Sequence, residues 1–172
     1  MVVAAILATL VVAVAGLSPP LATPLSFSPP ECGYSVVFPS PPNYTRTAGD
    51  DGSKNVAADL VSGGSRMDAH CIRAATDFAP GTAPLPDPAA SLGKIEEITK
   101  ALTIRDAEIR PLPVLGPECG EVRGFLDSPQ GRYQIAARLC VASNSTFIAE
   151  AIYANPQSDP APGKFLETMQ PK

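Results

Sequence analysis

Four cysteines, at positions 32, 71, 119 and 140, constrain this chain more than any other feature. No C-x-x-C pair occurs among them, and the sequence holds a single histidine. A structural zinc site draws its ligands in close pairs, because a short loop fixes two at once. That spacing is missing, so no metal is expected. An even number of cysteines behind an apolar N-terminus points instead to two disulfides. Three pairings are open, and the stretch ECGEVRGFLDSPQGRYQIAARLC (118–140) chooses among them. If Ser128-Pro129-Gln130-Gly131 is a tight hairpin turn, Glu121 faces Arg138 and Asp127 faces Arg132. Both are cross-strand pairs of opposite charge. Val122, Ile135, Ala137 and Leu139 then share the other face. In that register Cys119 faces Cys140, and directly opposed residues lie ~4.5–5.5 Å apart at Cα, within disulfide reach. Cys32 is left to pair with Cys71. Closing loops of these lengths contributes roughly 3–4 kcal/mol through chain entropy.

The first seventeen residues, MVVAAILATLVVAVAGL, are apolar or small and are followed by prolines. This reads as a secretory signal peptide over 1–22, cleaved after Ala15 or near Ala22. The other reading is an uncleaved anchor, since such a run sits at the lower end of the lengths that span a bilayer. Either places the folded part in the periplasm or outside the cell. Residues 23–31 read as a proline-rich linker and 32–172 as a single domain. Thirteen basic against 17 acidic residues, a net charge of −4, leave no basic footprint. Nucleic acid is therefore excluded as a partner, and a membrane enters only through the N-terminal segment.

Twenty prolines punctuate the chain, and the stretches between their clusters hold the regular elements. A short strand ends at Phe38. A hairpin turns about Gly63-Gly64, with a bulge expected where the alternation of Met67, Ala69 and Cys71 passes to Ile72 and Ala74. DPAASLGKIEEITKAL (87–102) is the clearest helix: Asp87 caps it, Pro88 suits its first turn, and Leu92, Ile95, Ile98 and Leu102 form one apolar face. Glu96 and Lys100 stand at i, i+4 on its outer side. A strand in 102–112, the stapled hairpin and a strand in 145–154 follow. A three-residue loop at Ser143–Ser145 would bring Glu150 beside Arg138. Asp159 and Pro160 start a closing helix with Phe165, Leu166 and Met169 apolar. The order β-β-β-α-β-β-β-β-α implies an α+β domain, a mostly antiparallel sheet flanked by helices.

This element order, with YSVVFPSPP, the helix at 88–102, GEVRGF…YQIAARLCV…FIAEAIY and GKFLETM, resembles the PsbP-like superfamily over roughly residues 33 to 170. The resemblance implies an α-β-α sandwich and a non-enzymatic, exported or lumenal protein that docks on a larger assembly. The four cysteines are not part of the family's general pattern, and no functional residue carries over.

Candidate sites are few. His70 beside Cys71 is a thiol–imidazole pair in sequence, but strand neighbours point to opposite faces. Asp50-Asp51-Gly52 lacks the oxygen-ligand spacing of a cation loop and reads as a solvated turn. Glu96-Glu97 and Glu118/Glu121 read as surface carboxylates rather than an acid–base pair. GGSR and LGKIEE lack the glycine and lysine spacing of a phosphate loop. Asn43-Tyr44-Thr45 and Asn144-Ser145-Thr146 match glycosylation acceptors that a bacterial periplasm would leave unused. No catalytic, cofactor or metal residue is expected, so the reading is not an enzyme. The site residues are the bridged Cys32, Cys71, Cys119 and Cys140. The expected role is an accessory or binding protein of the cell envelope whose partner is another envelope protein. The alternative is an inhibitor of an envelope hydrolase, presenting the proline-rich loop APGTAPLPDP (79–88) pre-ordered.

Overall fold

A computed structural model describes residues 24–75, 87–153 and 159–172. The expected signal peptide and residues 79–86 of the proline-rich loop lie outside the described residues. In chain order the first elements are β1 (Leu25–Phe27), β2 (Tyr34–Phe38), β3 (Asn43–Ala48), β4 (Lys54–Ser62), β5 (Ser65–Arg73) and α1 (Pro88–Ala101). They are followed by β6 (Arg105–Pro111), β7 (Cys119–Ser128), β8 (Gly131–Val141), β9 (Ser145–Tyr153), α2 (Ala161–Glu167) and β10 (Gln170–Pro171). β3, β4, β5, β9, β8, β7 and β6 lie side by side in one antiparallel sheet, while β1, β2 and β10 form a small second one. The fold is thus α+β: mostly antiparallel sheet, with two short helices and two disulfides.

Local sequence explains the hairpins. Gly63 and Gly64 both take positive φ, 59° and 82°, which the tight β4–β5 turn requires and glycine adopts without a Cβ penalty. From Lys54↔Arg73 to Ser62↔Ser65 the pairing is unbroken, so the expected bulge is absent. Ile72 simply projects to the face opposite Cys71, where it is 37% exposed. In the β7–β8 hairpin Cys119 faces Cys140, Glu121 faces Arg138 and Asp127 faces Arg132, the register that the turn residues imply.

The β8–β9 turn differs from expectation. Val141 pairs with Thr146 and the Ala142 amide donates to the Ser145 carbonyl, leaving only Ser143 and Asn144 at the tip. One residue fewer in the loop turns every side chain of β9 over. Arg138 therefore faces Ala149, and Glu150 faces Ala137 on the opposite side of the sheet.

Three strands escape a reading by hydrophobic alternation. All of β3 is exposed, and β1 and β10 are too short to show a pattern. β1 lies in the segment expected to be a linker; it pairs with β2 and buries Phe27. The folded domain thus begins before residue 32.

The core has two parts, one on each face of the main sheet. On one face Met67, Ala69, Phe147, Ala149 and Ala151 pack against Val36 and Phe38 of β2 and Phe165 and Leu166 of α2. On the other, α1 covers β6, β7 and β8, with Ile95 fully buried against Val122, Ala137 and Leu139. Asp87 caps α1 by accepting from the Ala89 amide at 3.0 Å. The buried stripe of α1 is Ser91, Ile95 and Thr99, flanked by half-buried Leu92 and Ile98. Leu102 is the C-cap and 41% exposed, so it does not belong to that face. The ion pair on the outer side of α1 is Lys94–Glu97 at 2.7 Å, not Glu96–Lys100. Cys32–Cys71 ties the segment before β2 to β5, and Cys119–Cys140 staples β7 to β8 with Cα atoms 4.1 Å apart.

Candidate functional site

Because strand residues alternate between faces, Glu121 and Arg123 of β7, Gln134 and Arg138 of β8 and Tyr153 of β9 all project toward α2. With Lys164 and Glu167 of α2 they line an open cleft of about 460 Å³. Its charges are held in fixed positions. Glu121, only 13% exposed, accepts from Arg123 Nε at 2.7 Å and from Arg138 Nε at 3.2 Å. Burial acts to raise its pKa, but the two guanidinium groups outweigh this and hold the carboxyl below its ordinary value. Arg138 also donates to the Leu166 carbonyl at 2.7 Å, tying the last turn of α2 to the sheet. The cleft therefore presents Arg123 and Lys164 beside a rigid Glu121–Arg138 pair, an arrangement suited to binding polar groups.

The opposite face holds a row of acids. Asp59 of β4, Asp68 of β5 and Glu150 of β9 stand in cross-strand register, with Arg66 and His70 to either side of Asp68. Asp68 is buried, and Arg66 Nε donates to its Oδ1 at 3.0 Å. Its Oδ2 lies near the same nitrogen but off the N–H direction, and lacks a hydrogen-bond partner. Burial, then the charge on Asp68, pushes Glu150 up to about 7. A proton on Glu150 is the donor that Asp68 lacks, because the buried Asp68 and the half-buried Glu150 beside it cannot both ionise without large cost. Burial lowers the pKa of His70, with Asp68 partly opposing. Among the described residues no group of three or more His, Cys, Asp or Glu is placed to hold a metal ion.

No protein-family model matches this chain, and no curated protein does.

Of the residues singled out from sequence, the four cysteines are brought together in the two expected pairs, and the candidate catalytic and cation-binding groups are not. Cys71 is bridged to Cys32 and points away from His70, as β5 alternation requires. Asp51 Oδ1 accepts from the Ser53 amide at 2.9 Å and Gly52 takes φ 80°, which makes 50–52 a turn. Glu97 is exposed and paired with Lys94. Glu118 accepts from the Tyr34 hydroxyl at 2.5 Å, whereas Glu121 belongs to the arginines of the cleft. Neither the cleft nor the acidic row stands out in the linear sequence. Glu121 and Arg138 are legible as a cross-strand pair, but Lys164 reaches them only because α2 folds back onto β8 and β9. Likewise Asp68 and Glu150 meet only because β5 and β9, far apart in the chain, are neighbours. Two closed disulfides fit an oxidising compartment, extracellular or periplasmic. Among the described residues no helix is long and apolar enough to cross a membrane.

Proposed function

We propose that the chain is an exported, non-enzymatic accessory module that docks on a larger protein assembly of the cell envelope, with the cleft beside α2 as its contact. The observation that carries this reading is the pre-set charge in that cleft. Glu121 is held between two arginines and Arg138 is clamped to α2, so little side-chain freedom is lost when a partner binds. Exposed Arg123 and Lys164 then offer charge to an acidic loop of the partner. The layer order, α1 on one face of the sheet and α2 with the small sheet on the other, supports assignment to the PsbP-like α-β-α sandwich.

Affinity capture from envelope extract tests the reading when Lys164→Glu is compared with Lys94→Glu, a charge reversal on the outer side of α1. The expected result is one set of assembly components held by the unmodified protein and by Lys94→Glu, and released by Lys164→Glu. Equal capture by both variants would rule out the cleft. Capture of a single hydrolase would favour the inhibitor role in place of the accessory one.

A further inference from the structure

The two edges of the main sheet are built differently. β6 carries the devices that keep an edge from pairing with another chain. Its register shifts between Arg105 and Glu108, Asp106 takes φ 50°, and Pro111 ends it. Charged side chains also crowd it, with Arg110 paired to Glu108 at 2.8 Å. β3 has no register shift, no proline and a single charge. Its pairing with β4 runs unbroken from Asn43↔Asp59 to Ala48↔Lys54, it contains no proline, and all six of its residues are exposed. Arg46 is its one charged residue and has no ionic partner among the described residues. A regular, open edge of this kind is a template for a further strand.

We propose that β3 is a self-association edge: two copies of the chain pair β3 with β3, antiparallel, about a two-fold axis at Thr45, joining two sheets into one. The sequence of β3 selects both the occupant and the register. A two-fold axis perpendicular to the sheet keeps like faces together, so opposed residues must project to the same side. Centring the pairing on Arg46 would set guanidinium against guanidinium. Centring it on Tyr44 would draw Pro42 into the ladder opposite Arg46. Centring on Thr45 sets threonine against threonine, Asn43 against Thr47, and Tyr44 against Arg46 of the second copy, each of the last two pairs occurring twice. Tyr44 is prepared for this contact. Its ring centroid lies 6.2 Å from that of Phe27, and the residue is 52% exposed. A guanidinium laid over this exposed ring makes a cation–π contact, and the lone Arg46 of the second copy supplies it. The next strand inward adds no repulsion, since Val56, Ala57 and Ala58 of β4 flank the central rows. Strand pairing alone buries less than a standard interface, so the expected state is a concentration-dependent monomer–dimer equilibrium.

The test uses the disulfide-bonded protein exported to a bacterial periplasm, where Asn43 carries no sugar, and measures mass by analytical ultracentrifugation over about 1 µM to 1 mM. The unmodified chain is expected to pass from monomer to dimer. Thr45→Lys, which sets two ammonium groups face to face on the axis, is expected to stay monomeric, with the melting temperature of the unmodified chain at about 1 µM, where both are monomers. Under mild oxidation Thr45→Cys is expected to form a covalent dimer, because residues directly opposed in such a ladder lie within disulfide reach. Thr47→Cys is expected not to, as its counterpart lies four residues along, about 13 Å away. A monomer at every concentration, dimerisation of Thr45→Lys, or equal cross-linking of the two cysteine variants would overturn the proposal. The first of these results would leave the edge to an extended segment of a different protein.

Discussion

Glu150 and Asp68 are the side chains whose chemistry depends most on where they are buried. Glu150 titrates at about 7 in the fold against an ordinary value of 4.5, so the folded state binds its proton more tightly than the unfolded chain does. The stability this proton contributes is fully present below about 4.5 and is lost as pH rises through about 7. Asp68 is shifted in the same direction, by burial above all. His70 acts in the opposite sense: its lowered pKa contributes stability present above 6.5 and lost as pH falls through the folded value. Most of the Glu150 contribution is lost between pH 4.5 and about 7; the part still present at pH 6.5, about 1 kcal/mol at most, is lost above it with no opposing gain from His70. Urea midpoints measured from pH 6.5 to 8.5 should fall slightly for the unmodified protein, the fall ending at about pH 8, and stay nearly level for Glu150→Gln. A profile equally steep in that variant would place the titrating group elsewhere.

At the scale of elements, α1 shows how periodicity and packing diverge. Spacing alone centres its apolar face on Ile95 and Ile98, but the helix lies on the sheet through Ser91, Ile95 and Thr99. Ser91 donates to the Val141 carbonyl at 3.1 Å and Thr99 to that of Ile95 at 2.7 Å, so both hydroxyls are satisfied where they are buried. Gly120 makes the approach possible: a Cβ there would stand 3.0 Å from Ile95 Cδ1 and 3.2 Å from the Arg110 carbonyl. Ile95→Ala should cost roughly 2–5 kcal/mol by transfer and cavity formation. Ile98→Ala, at a half-buried position, should cost distinctly less. Denaturant unfolding of the two variants decides this, and equal losses would show that α1 is rotated from the position described.

Over the whole molecule, the two disulfides do unequal work. Cys119–Cys140 joins strands already paired along their length, whereas Cys32–Cys71 fastens the link between β1 and β2 of the small sheet to β5 of the main one. The loop closed by Cys32–Cys71 is also longer, 39 against 21 residues in separation, which removes more entropy from the unfolded chain. Replacing Cys32 and Cys71 together by serine should lower the melting temperature more than replacing Cys119 and Cys140. It should also raise amide exchange in β2. The reverse order would mean that β2 is held by its packing on Phe147 and Phe165 alone.

Pairings are legible in sequence where the turn residues themselves fix the length of the loop. The Ser128–Gly131 turn sets its register and so places Cys119 opposite Cys140, whereas Gly63-Gly64 marks the β4–β5 turn but leaves the register open to a bulge that the structure does not contain. The capped start of α1 was legible for the same local reason. One residue more or less in the β8–β9 turn lay beyond that reading, and it decided which face Glu150 took. The cleft, the acidic row and the two unlike edges depend on which hairpins become neighbours. That choice is made by burying two apolar faces at once, and burial is a property of the assembled sheet, to which Asn43–Ala48, exposed on both sides, contributes no hydrophobic signal at all.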